Sequence, residues 1–542
     1  MRKIRGSILL VFVAIASAVI SAAGPSPGDP TFVAIDSGAV HGSATADVVS
    51  FKGIPYAEPP VGPLRWRMPQ PVKPWEGVRE TTNFGPSCMQ TDDVPKSEDC
   101  LTLNVWRPAA DSATPLPVMV WIHGGALVHG GTSIYPGGAL ARQGVVVVSM
   151  NYRMGRLGFF AHPALAAEAP GDVRGNYGIM DQRAALEWVQ RNIAAFGGDP
   201  KQVTIFGESA GGGSVMVHLT APLSRGLFHR AILQSPGIPT ARARVLPLTE
   251  LADAEKMAVD YTRSVGVTGD GTAALAGLRA LPASRLIERT SAPEVIAAQS
   301  AGACVIGFAG TIRDGRLIVA APEEVLAKGR QAMVPVMVGA DDRDLDIGTA
   351  NSKDELFALF GPYVEEARKL YDPKGSQTLD ELKQQVFADK TFVEPSRHLA
   401  NEMVRAGLPT WWYRFSYVAE SMRGTVKGTL HGLELPYTFN VPAALVGGRV
   451  TAADKAMGDL ASAYWVAFGK TGDPNGGRRP TWPRHDPALD RVIDFTNTGV
   501  VVGPDPLKAR LDLWKKVWEQ PRTKAELAGT CWQFVKFQGD LY

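Results

Sequence analysis

The chain has 542 residues, of which 45% are hydrophobic and 20% charged, and its mean hydropathy is −0.03. These values are those of an ordinary globular chain. The formal net charge of +2 and the lack of a Lys/Arg run exclude an attraction to nucleic acid or to anionic membranes.

The N-terminus has the pattern of a secretory signal peptide. Residues 1–5 are positively charged, residues 8–20 are apolar, and residues 21–23 are small, which suits cleavage after Ala23. The apolar run is shorter than the roughly 20 residues that a spanning helix needs, and no comparable run follows. We therefore predict export to the periplasm or the exterior, with residues 1–23 removed and no membrane span afterwards. An uncleaved anchor is the alternative.

Two glycine motifs follow strand-like runs. Residues 118–126 read VMVWIHGGA, an apolar strand that enters a loop of small residues able to present backbone N–H groups to an oxyanion. Residues 203–218 read VTIFGESAGGGSVMVH. In this segment a β-branched run, a tight GESAG turn and a helix-like stretch give Ser209 the context of a nucleophile elbow. The glycines allow the sharp turn and the close packing of the next helix.

An acidic cluster and a histidine lie further along the chain. Residues 339–346, GADDRDLD, follow the strand-like run 334–338, and His431 lies in a polar turn between two apolar segments. The order is therefore serine, acid, histidine. α/β-Hydrolases have this order, whereas the two best-known serine protease classes do not.

Strand-like and helical runs alternate along the chain, which predicts an α/β fold with a large, mostly parallel sheet covered on both faces. The predicted strands are residues 31–35, 118–123, 145–152, 203–206, 231–234, 334–339 and 411–417, and the clearest helices are 178–196 and 507–520. Ligands bind beyond the carboxyl ends of such strands, where the motifs above would lie.

No linker or repeat divides the chain, so residues 24–542 are predicted to form one domain. Two more helical segments, around residues 249–326 and 352–406, are expected to fold over the site as a cap.

The motifs described so far, together with five further segments, resemble the type-B carboxylesterase family of bacterial carboxylesterases and cholinesterases. The further segments are 51–66 (FKGIPYAEPPVGPLRW), 97–105 (SEDCLTLNV), 151–159 (NYRMGRLGF), 175–182 (GNYGIMDQ) and 196–200 (FGGDP). They span nearly the whole mature chain. The resemblance implies an α/β-hydrolase fold with helical cap insertions and a serine carboxylesterase that acts on small-molecule esters without a metal or cofactor.

The resemblance also implies roles for single residues. Ser209 would be the nucleophile that forms an acyl-enzyme, and His431 would take the serine proton and return it to the leaving alkoxide. The backbone N–H groups of Gly125, Ala126 and Ala210 would form the oxyanion hole, in which one donor is worth roughly 3 kcal/mol of transition-state stabilisation.

The acid departs from the family pattern. The family usually has a Glu five residues after the glycine that ends the strand, and in this chain that position is Asp344. Aspartate is one methylene shorter, so its backbone must lie nearer to His431. Asp344 is the predicted acid, and Asp341, Asp342 and Asp346 are the alternatives.

Other residues resemble supporting positions of the family. Glu208 either faces the active-site gorge or is the solvent-side residue of the turn, and Ser235 would support the site through hydrogen bonds. Two pairs resemble structural salt bridges of the family, namely Arg65 with Glu98 and Arg153 with Asp181.

The four cysteines suit an oxidising compartment. The resemblance implies a disulfide between Cys88 and Cys100. Whether Cys304 and Cys531 are bridged is left open.

Two other functions compete with ester hydrolysis. Some relatives keep the fold, lose the nucleophile and serve as adhesion modules, whereas this chain retains a serine, a histidine and an acid. A peptidase is the second alternative, but the family motifs point away from it. Aromatic residues such as Trp66, Trp411 and Trp412 could line an apolar pocket or pack in the core. The acyl and alcohol specificity and the oligomeric state are not indicated by the sequence.

We predict that Asp344→Asn collapses turnover while leaving the fold intact, because an amide cannot stabilise the imidazolium that forms on the histidine. Steady-state ester hydrolysis and circular dichroism of the variant check the two parts of this prediction. If Asp346→Asn is the crippled variant instead, the assignment of the acid is wrong.

Overall fold

The computed structural model describes residues 29–237, 248–300, 305–345 and 350–520. The predicted signal peptide, Asp346, Cys304 and Cys531 lie outside these residues. Among the described helices, none combines the length and the apolar character that crossing a bilayer requires.

Eighteen strands in the described residues form four sheets. The strands are β1 Phe32–Ile35, β2 Gly38–His41, β3 Ser43–Ala44, β4 Val48–Pro55, β5 Val78–Glu80, β6 Ser87–Cys88, β7 Lys96–Ser97, β8 Thr102–Pro108, β9 Leu116–Ile122, β10 Val146–Met150, β11 Gly198–Glu208, β12 Arg230–Gln234, β13 Leu248–Glu250, β14 Thr311–Arg313, β15 Val336–Asp341, β16 Thr410–Phe415, β17 Arg491–Thr496 and β18 Gly499–Pro504.

Eighteen α-helices lie between these strands or after them in the same described ranges. They are α1 Gly138–Ala141, α2 Gly155–Gly158, α3 Pro163–Glu168, α4 Tyr177–Asn192, α5 Ala210–Thr220, α6 Leu251–Ser264, α7 Thr272–Ala280, α8 Ala283–Ile287, α9 Ala292–Ser300, α10 Pro322–Ala327, α11 Lys353–Ala358, α12 Val364–Tyr371, α13 Leu379–Ala388, α14 Glu394–Arg405, α15 Leu435–Thr438, α16 Ala443–Val446, α17 Ala452–Thr471 and α18 Lys508–Trp518.

The central sheet has eleven strands in the order β18-β17-β16-β15-β12-β11-β9-β10-β8-β4-β3. The pairs from β17 to β10 are all parallel, and antiparallel pairs extend the sheet at both edges. The predicted mostly parallel sheet is therefore confirmed.

Both faces of this sheet are buried, which explains the nearly continuous apolar strands. In β9, Val118, Val120 and Ile122 belong to one apolar cluster, whereas Met119 and Trp121 belong to another. Successive side chains of a strand point to opposite faces, so these two clusters are the cores on the two sides of the sheet.

Six of the seven predicted strands lie in the central sheet, as β9, β10, β11, β12, β15 and β16. The run 31–35 corresponds to β1, which belongs to a separate small sheet with β2 and β5. The edge strands β17 and β18 were not predicted. Half of the β18 pattern is glycine or proline and none of its residues is buried, so it lacks the apolar signal of the central strands.

The predicted helices are present with clear end signals. Residues 178–196 form α4 and a 3-10 turn, which ends at Gly197 in the left-handed conformation (φ 78°). The helix at 508–518 matches the predicted 507–520. A capping box at Thr451 and Asp454 begins α17.

One long helix contains a π turn. Residues Asp389–Val393 form the π turn between α13 and α14. The Asp389 carboxylate accepts hydrogen bonds from Tyr371 (2.6 Å) and Arg510 (2.7 Å). The buried Asp389 carboxylate therefore holds the π turn against α12 and α18.

The predicted cap segments are helical in the structure. Segment 249–326 contains α6 to α9 and most of α10, and segment 352–406 contains α11 to α14. Helix α14, however, packs on β15 and β16, so the end of the second segment flanks the sheet as a crossover helix.

Two buried arginines hold the first segment to the rest of the chain. Arg65 donates to the carbonyls of Leu278 (3.4 Å), Arg279 (3.1 Å) and Leu281 (2.8 Å) at the end of α7. Arg156 donates to those of Leu286 (3.0 Å) and Glu288 (2.6 Å) at the end of α8, and to that of Ile306 (2.9 Å) beyond α9. Carbonyls at a helix C-terminus lack intrahelical donors, so a cation there satisfies them.

Candidate active site

Ser209 occupies a strained turn between β11 and α5. Its φ is 55° and its ψ is −123°, a conformation that costs a non-glycine residue of order 1–3 kcal/mol. The Ser209 N–H donates to the Gln234 carbonyl (3.0 Å), which ties the turn to the end of β12. A Cβ added at Gly211 would lie 2.1 Å from the Ile122 carbonyl oxygen, so only glycine allows this approach of α5 to β9. The predicted elbow geometry is thus present.

The loop after β9 lies directly against this turn. A Cβ added at Gly124 would lie 3.1 Å from the Ser209 Cβ and 2.8 Å from the Glu208 carbonyl oxygen. Gly125 (φ 104°), Ala126 (φ 52°) and Leu127 (φ 62°) are three consecutive residues with positive φ. Such strain persists where surrounding contacts over-determine the backbone, and it concentrates at functional sites.

The three predicted oxyanion donors lie in these two turns. We find no protein acceptor for the N–H groups of Gly125 and Ala126 among the described residues. Ala210 is the first residue of α5, where a backbone N–H has no intrahelical partner. Each of these three N–H groups therefore lacks an acceptor in the part of the chain that the structure describes.

His431 connects the serine to an acid. Its Nε2 lies 2.8 Å from Ser209 Oγ, and its Nδ1 donates to Asp344 Oδ1. The ring also packs against Phe392 of the π turn, with 4.8 Å between the centroids. Serine, imidazole and carboxylate thus form one hydrogen-bonded chain.

Asp344 is held by three donors. Besides His431 Nδ1, the Ser235 hydroxyl donates to its Oδ2 (2.6 Å), and the Leu345 N–H donates to its Oδ1 (2.9 Å). Ser235 is also tied to the strand end, because its oxygen accepts from the Asp341 N–H (3.2 Å). Both oxygens of the Asp344 carboxylate are therefore held by hydrogen bonds.

The other aspartates of the cluster have different partners. Asp342 accepts from the Thr429 N–H (2.8 Å), and burial raises the pKa of Asp342 to about 6 against this bond. Asp341 accepts from the Gly432 N–H (3.0 Å). Neither hydrogen-bonds the imidazole, and Asp346 lies outside the described residues.

Glu208 is buried beside His431 rather than on the solvent side of the turn. The Oε1 atom of Glu208 lies 3.1 Å from His431 Nε2, and Glu208 is 5% exposed. Burial raises the pKa of Glu208 to about 8, which the positive imidazole opposes.

The pKa of His431 responds to two opposing effects. Burial lowers the pKa, but the negative charges of Glu208 and Asp344 raise it by more, so the pKa of His431 is about 10. The site therefore stabilises an imidazolium, the state that a general base reaches once it has taken a proton.

Some residues of the site were not predicted. Glu434 is buried three residues after His431, where the polar turn itself was the only sequence signal. Gln234 is buried at the end of β12 and donates to Glu434 (3.1 Å). Phe392 reaches the imidazole through the π turn, for which the sequence gives no signal.

Several predicted structural features are present. The guanidinium of Arg65 pairs with Glu98 (2.6 Å), and that of Arg153 pairs with Asp181 (2.7 Å), the latter fully buried. Breaking a buried pair of this kind typically costs about 3–5 kcal/mol, because it leaves one charge uncompensated. A disulfide joins Cys88 and Cys100.

Three tryptophans that could have lined a pocket are core residues. Trp66, Trp411 and Trp412 are each 1% exposed. The Trp66 indole N–H donates to the Arg156 carbonyl (2.8 Å), so it closes the core beside α2. These side chains are therefore part of the packed core.

Comparisons with known proteins identify the family of the chain. A family model described as the carboxylesterase family matches residues 29–514. The fumonisin B1 esterase of Sphingopyxis macrogoltabida is 35% identical over 510 residues, covering 89% of this chain and 90% of that protein. The liver carboxylesterase 1 of Oryctolagus cuniculus is 35% identical over 539 residues, covering 88% of this chain and 92% of that protein.

A solved structure extends the likeness to the fold. The PNB esterase structure superposes with a TM-score of 0.75 at 31% identity, covering 90% of this chain and all of that chain. The resemblance to type-B carboxylesterases and the α/β-hydrolase fold are confirmed. The chain belongs to the carboxylesterase family and is a carboxylic ester hydrolase.

Proposed function

We propose that the chain hydrolyses small-molecule carboxylic esters through an acyl-enzyme on Ser209, with His431 as general base and acid and Asp344 as the residue that orients the imidazole. The observation that carries this proposal is the continuous chain of hydrogen bonds from Ser209 Oγ through His431 to Asp344. Ser235 holds the second oxygen of Asp344 and so fixes the acid.

The reaction begins when the Ser209 hydroxyl attacks the ester carbonyl and His431 Nε2 takes its proton. The carbonyl oxygen then becomes an oxyanion, which the N–H groups of Gly125, Ala126 and Ala210 stabilise. The imidazolium returns the proton to the departing alkoxide, and a water molecule repeats the sequence to release the acid. The carboxylates around His431 favour the imidazolium that both steps require.

We propose that residues 24–542 form one domain and that parts of segments 249–326 and 352–406 cover the site. The contact between Phe392 and His431 supports this for the second segment.

We predict that Ser209→Ala abolishes hydrolysis of p-nitrophenyl esters from acetate to laurate. Loss of the nucleophile in a triad enzyme lowers kcat by at least about 10⁴-fold. Initial rates across the series measure this effect, and the profile of the wild type gives the length of the acyl pocket. Ser112→Ala, at an exposed loop, is the matched control and should keep full activity.

Activity retained in Ser209→Ala would contradict the proposal, because another group would then be the nucleophile. A folded wild type that is inactive on the whole p-nitrophenyl series would leave two options, namely a more demanding natural substrate under the cap or the adhesion role.

We predict that Glu208→Gln moves the acid limb of the kcat/KM profile to lower pH. His431 must be neutral to accept the serine proton, and the charge of Glu208 raises its pKa. Without that charge the imidazole loses its proton at a lower pH, so the enzyme becomes active at a lower pH. Glu80→Gln, an exposed position on β5, is the control and should leave the profile unchanged. Overlapping profiles for Glu208→Gln and the wild type would show that Glu208 does not act on the imidazole.

We also propose that the chain is exported to the periplasm or the exterior after removal of residues 1–23. The charge and apolar pattern of the N-terminus supports this, as does the disulfide, since disulfides persist in oxidising compartments. N-terminal sequencing of the mature protein should begin at Gly24. A membrane-bound protein that begins at residue 1 would favour the uncleaved anchor.

A further inference from the structure

Two buried carboxyl groups face each other beside the His431 turn. Asp341 ends β15 and is 0% exposed, whereas Glu434 begins the turn into α15 and is 1% exposed. Each uses one oxygen for a protein donor. The Gly432 N–H donates to Asp341 Oδ2 (3.0 Å), and Gln234 Nε2 donates to Glu434 Oε1 (3.1 Å).

The other two oxygens receive no N–H or O–H from the described residues. These oxygens are Asp341 Oδ1 and Glu434 Oε2. The two side chains are close enough for a hydrogen bond between them. An ionised carboxylate only accepts hydrogen bonds, so this contact requires a proton between the groups. Two carboxylates in contact and away from water cannot both ionise.

The surrounding charges do not neutralise the pair. Within the described ranges no lysine or arginine forms an ion pair with either carboxyl group. The groups that face the pair from the neighbouring elements are two carboxylates, one imidazole and two phenols, namely Asp344, Glu208, His431, Tyr413 and Tyr135. The imidazole already interacts with Asp344 and Glu208. A proton is therefore the available means of neutralising one of the two acids.

We propose that Asp341 and Glu434 share one proton, which Asp341 donates to Glu434, and that this pair positions the His431 turn against the end of β15. The proposal rests on the role of His431 proposed above. Asp341 and Glu434 are positioning residues, because they act on the imidazole through the backbone of its turn.

The direction of the shared bond follows from the neighbouring donors. The Trp465 indole N–H donates to Gln234 Oε1 (3.0 Å), so the amide of Gln234 must present its NH₂ group to Glu434. Glu434 therefore accepts on one side. Burial, and then the charges of Glu434 and Asp344, raise the pKa of Asp341 well above its ordinary value, so Asp341 carries the proton.

The pair links the two segments that supply the acid and the base. Asp341 lies three residues before Asp344, and its Oδ2 accepts from Gly432, which follows His431. Glu434 lies three residues after His431 and binds Gln234 of β12. The distance between the imidazole and Asp344 thus depends on this contact.

Amide substitutions test the shared proton. In Asp341→Asn the amide NH₂ replaces the proton, and in Glu434→Gln it donates in the opposite direction. Each single variant keeps one donor between the groups, so its kcat at neutral pH should stay within about threefold of the wild type. The double variant places two NH₂ groups against each other, because Gly432 and Gln234 hold the amide oxygens away. Its kcat should fall at least about tenfold below either single variant.

The dependence of stability on pH is a second readout. The folded protein keeps the Asp341 proton above the pH at which the unfolded chain loses it. Between those two pH values, the unfolding equilibrium constant of the wild type rises by up to about tenfold per pH unit relative to Asp341→Asn. Thermal melts from about pH 5 to about pH 9 should show the wild type losing stability relative to Asp341→Asn as the pH rises.

The outcomes separate this inference from the proposed function. Parallel melting curves, or a double variant as active as the single ones, would overturn the shared proton. If Asp341 and Glu434 only filled space, the melting curves would be parallel and the double variant would stay active, because no proton would be involved. Activity retained in Ser209→Ala or His431→Ala would instead overturn the proposed function, whereas the melting curves would still test the pair.

Discussion

The parallel register of β9, β11, β12 and β15 is the constraint on which the site depends. Ile122 pairs with Gly207, Glu208 with Gln234, and Gln234 with Gly339. The four strands therefore end at nearly the same level. The loop after β9, Ser209, Ser235 and the Asp344 segment all leave the sheet within reach of one another. A shift of one residue in any pair would turn its side chains to the opposite face and separate these groups.

Burial and neighbouring charges then determine which groups of the active site ionise. One imidazole lies among four buried carboxyl groups, those of Glu208, Asp341, Asp344 and Glu434. Asp344 has three donors, whereas each of the others has fewer. Burial raises the pKa of Glu208, Asp341 and Glu434, so these three acids depend on protons or on the imidazolium.

Much of the catalytic geometry was predictable because it is encoded locally. The glycines at 207 and 211 and the apolar runs before them specify a strand, a sharp turn and a helix around Ser209, which needs no knowledge of distant residues. The choice of Asp344 came instead from the resemblance to the family, through the offset from Gly339. The contacts of Phe392, Glu434 and Asp341 were not predicted, because they depend on how segments far apart in the chain pack. The edge strand β18 was missed because exposure removes its apolar pattern.

The π turn at Asp389–Val393 makes the helix α13–α14 sensitive to length as well as to composition. It holds Asp389 against Tyr371 and Arg510 while Phe392 packs on the imidazole. A helix advances by about 100° per residue, and a π turn accommodates one more residue than an α turn. Removal of a single residue would therefore rotate one of these contacts away from its partner. Chain length in a helix remote in sequence from the nucleophile is thus part of the definition of the active site.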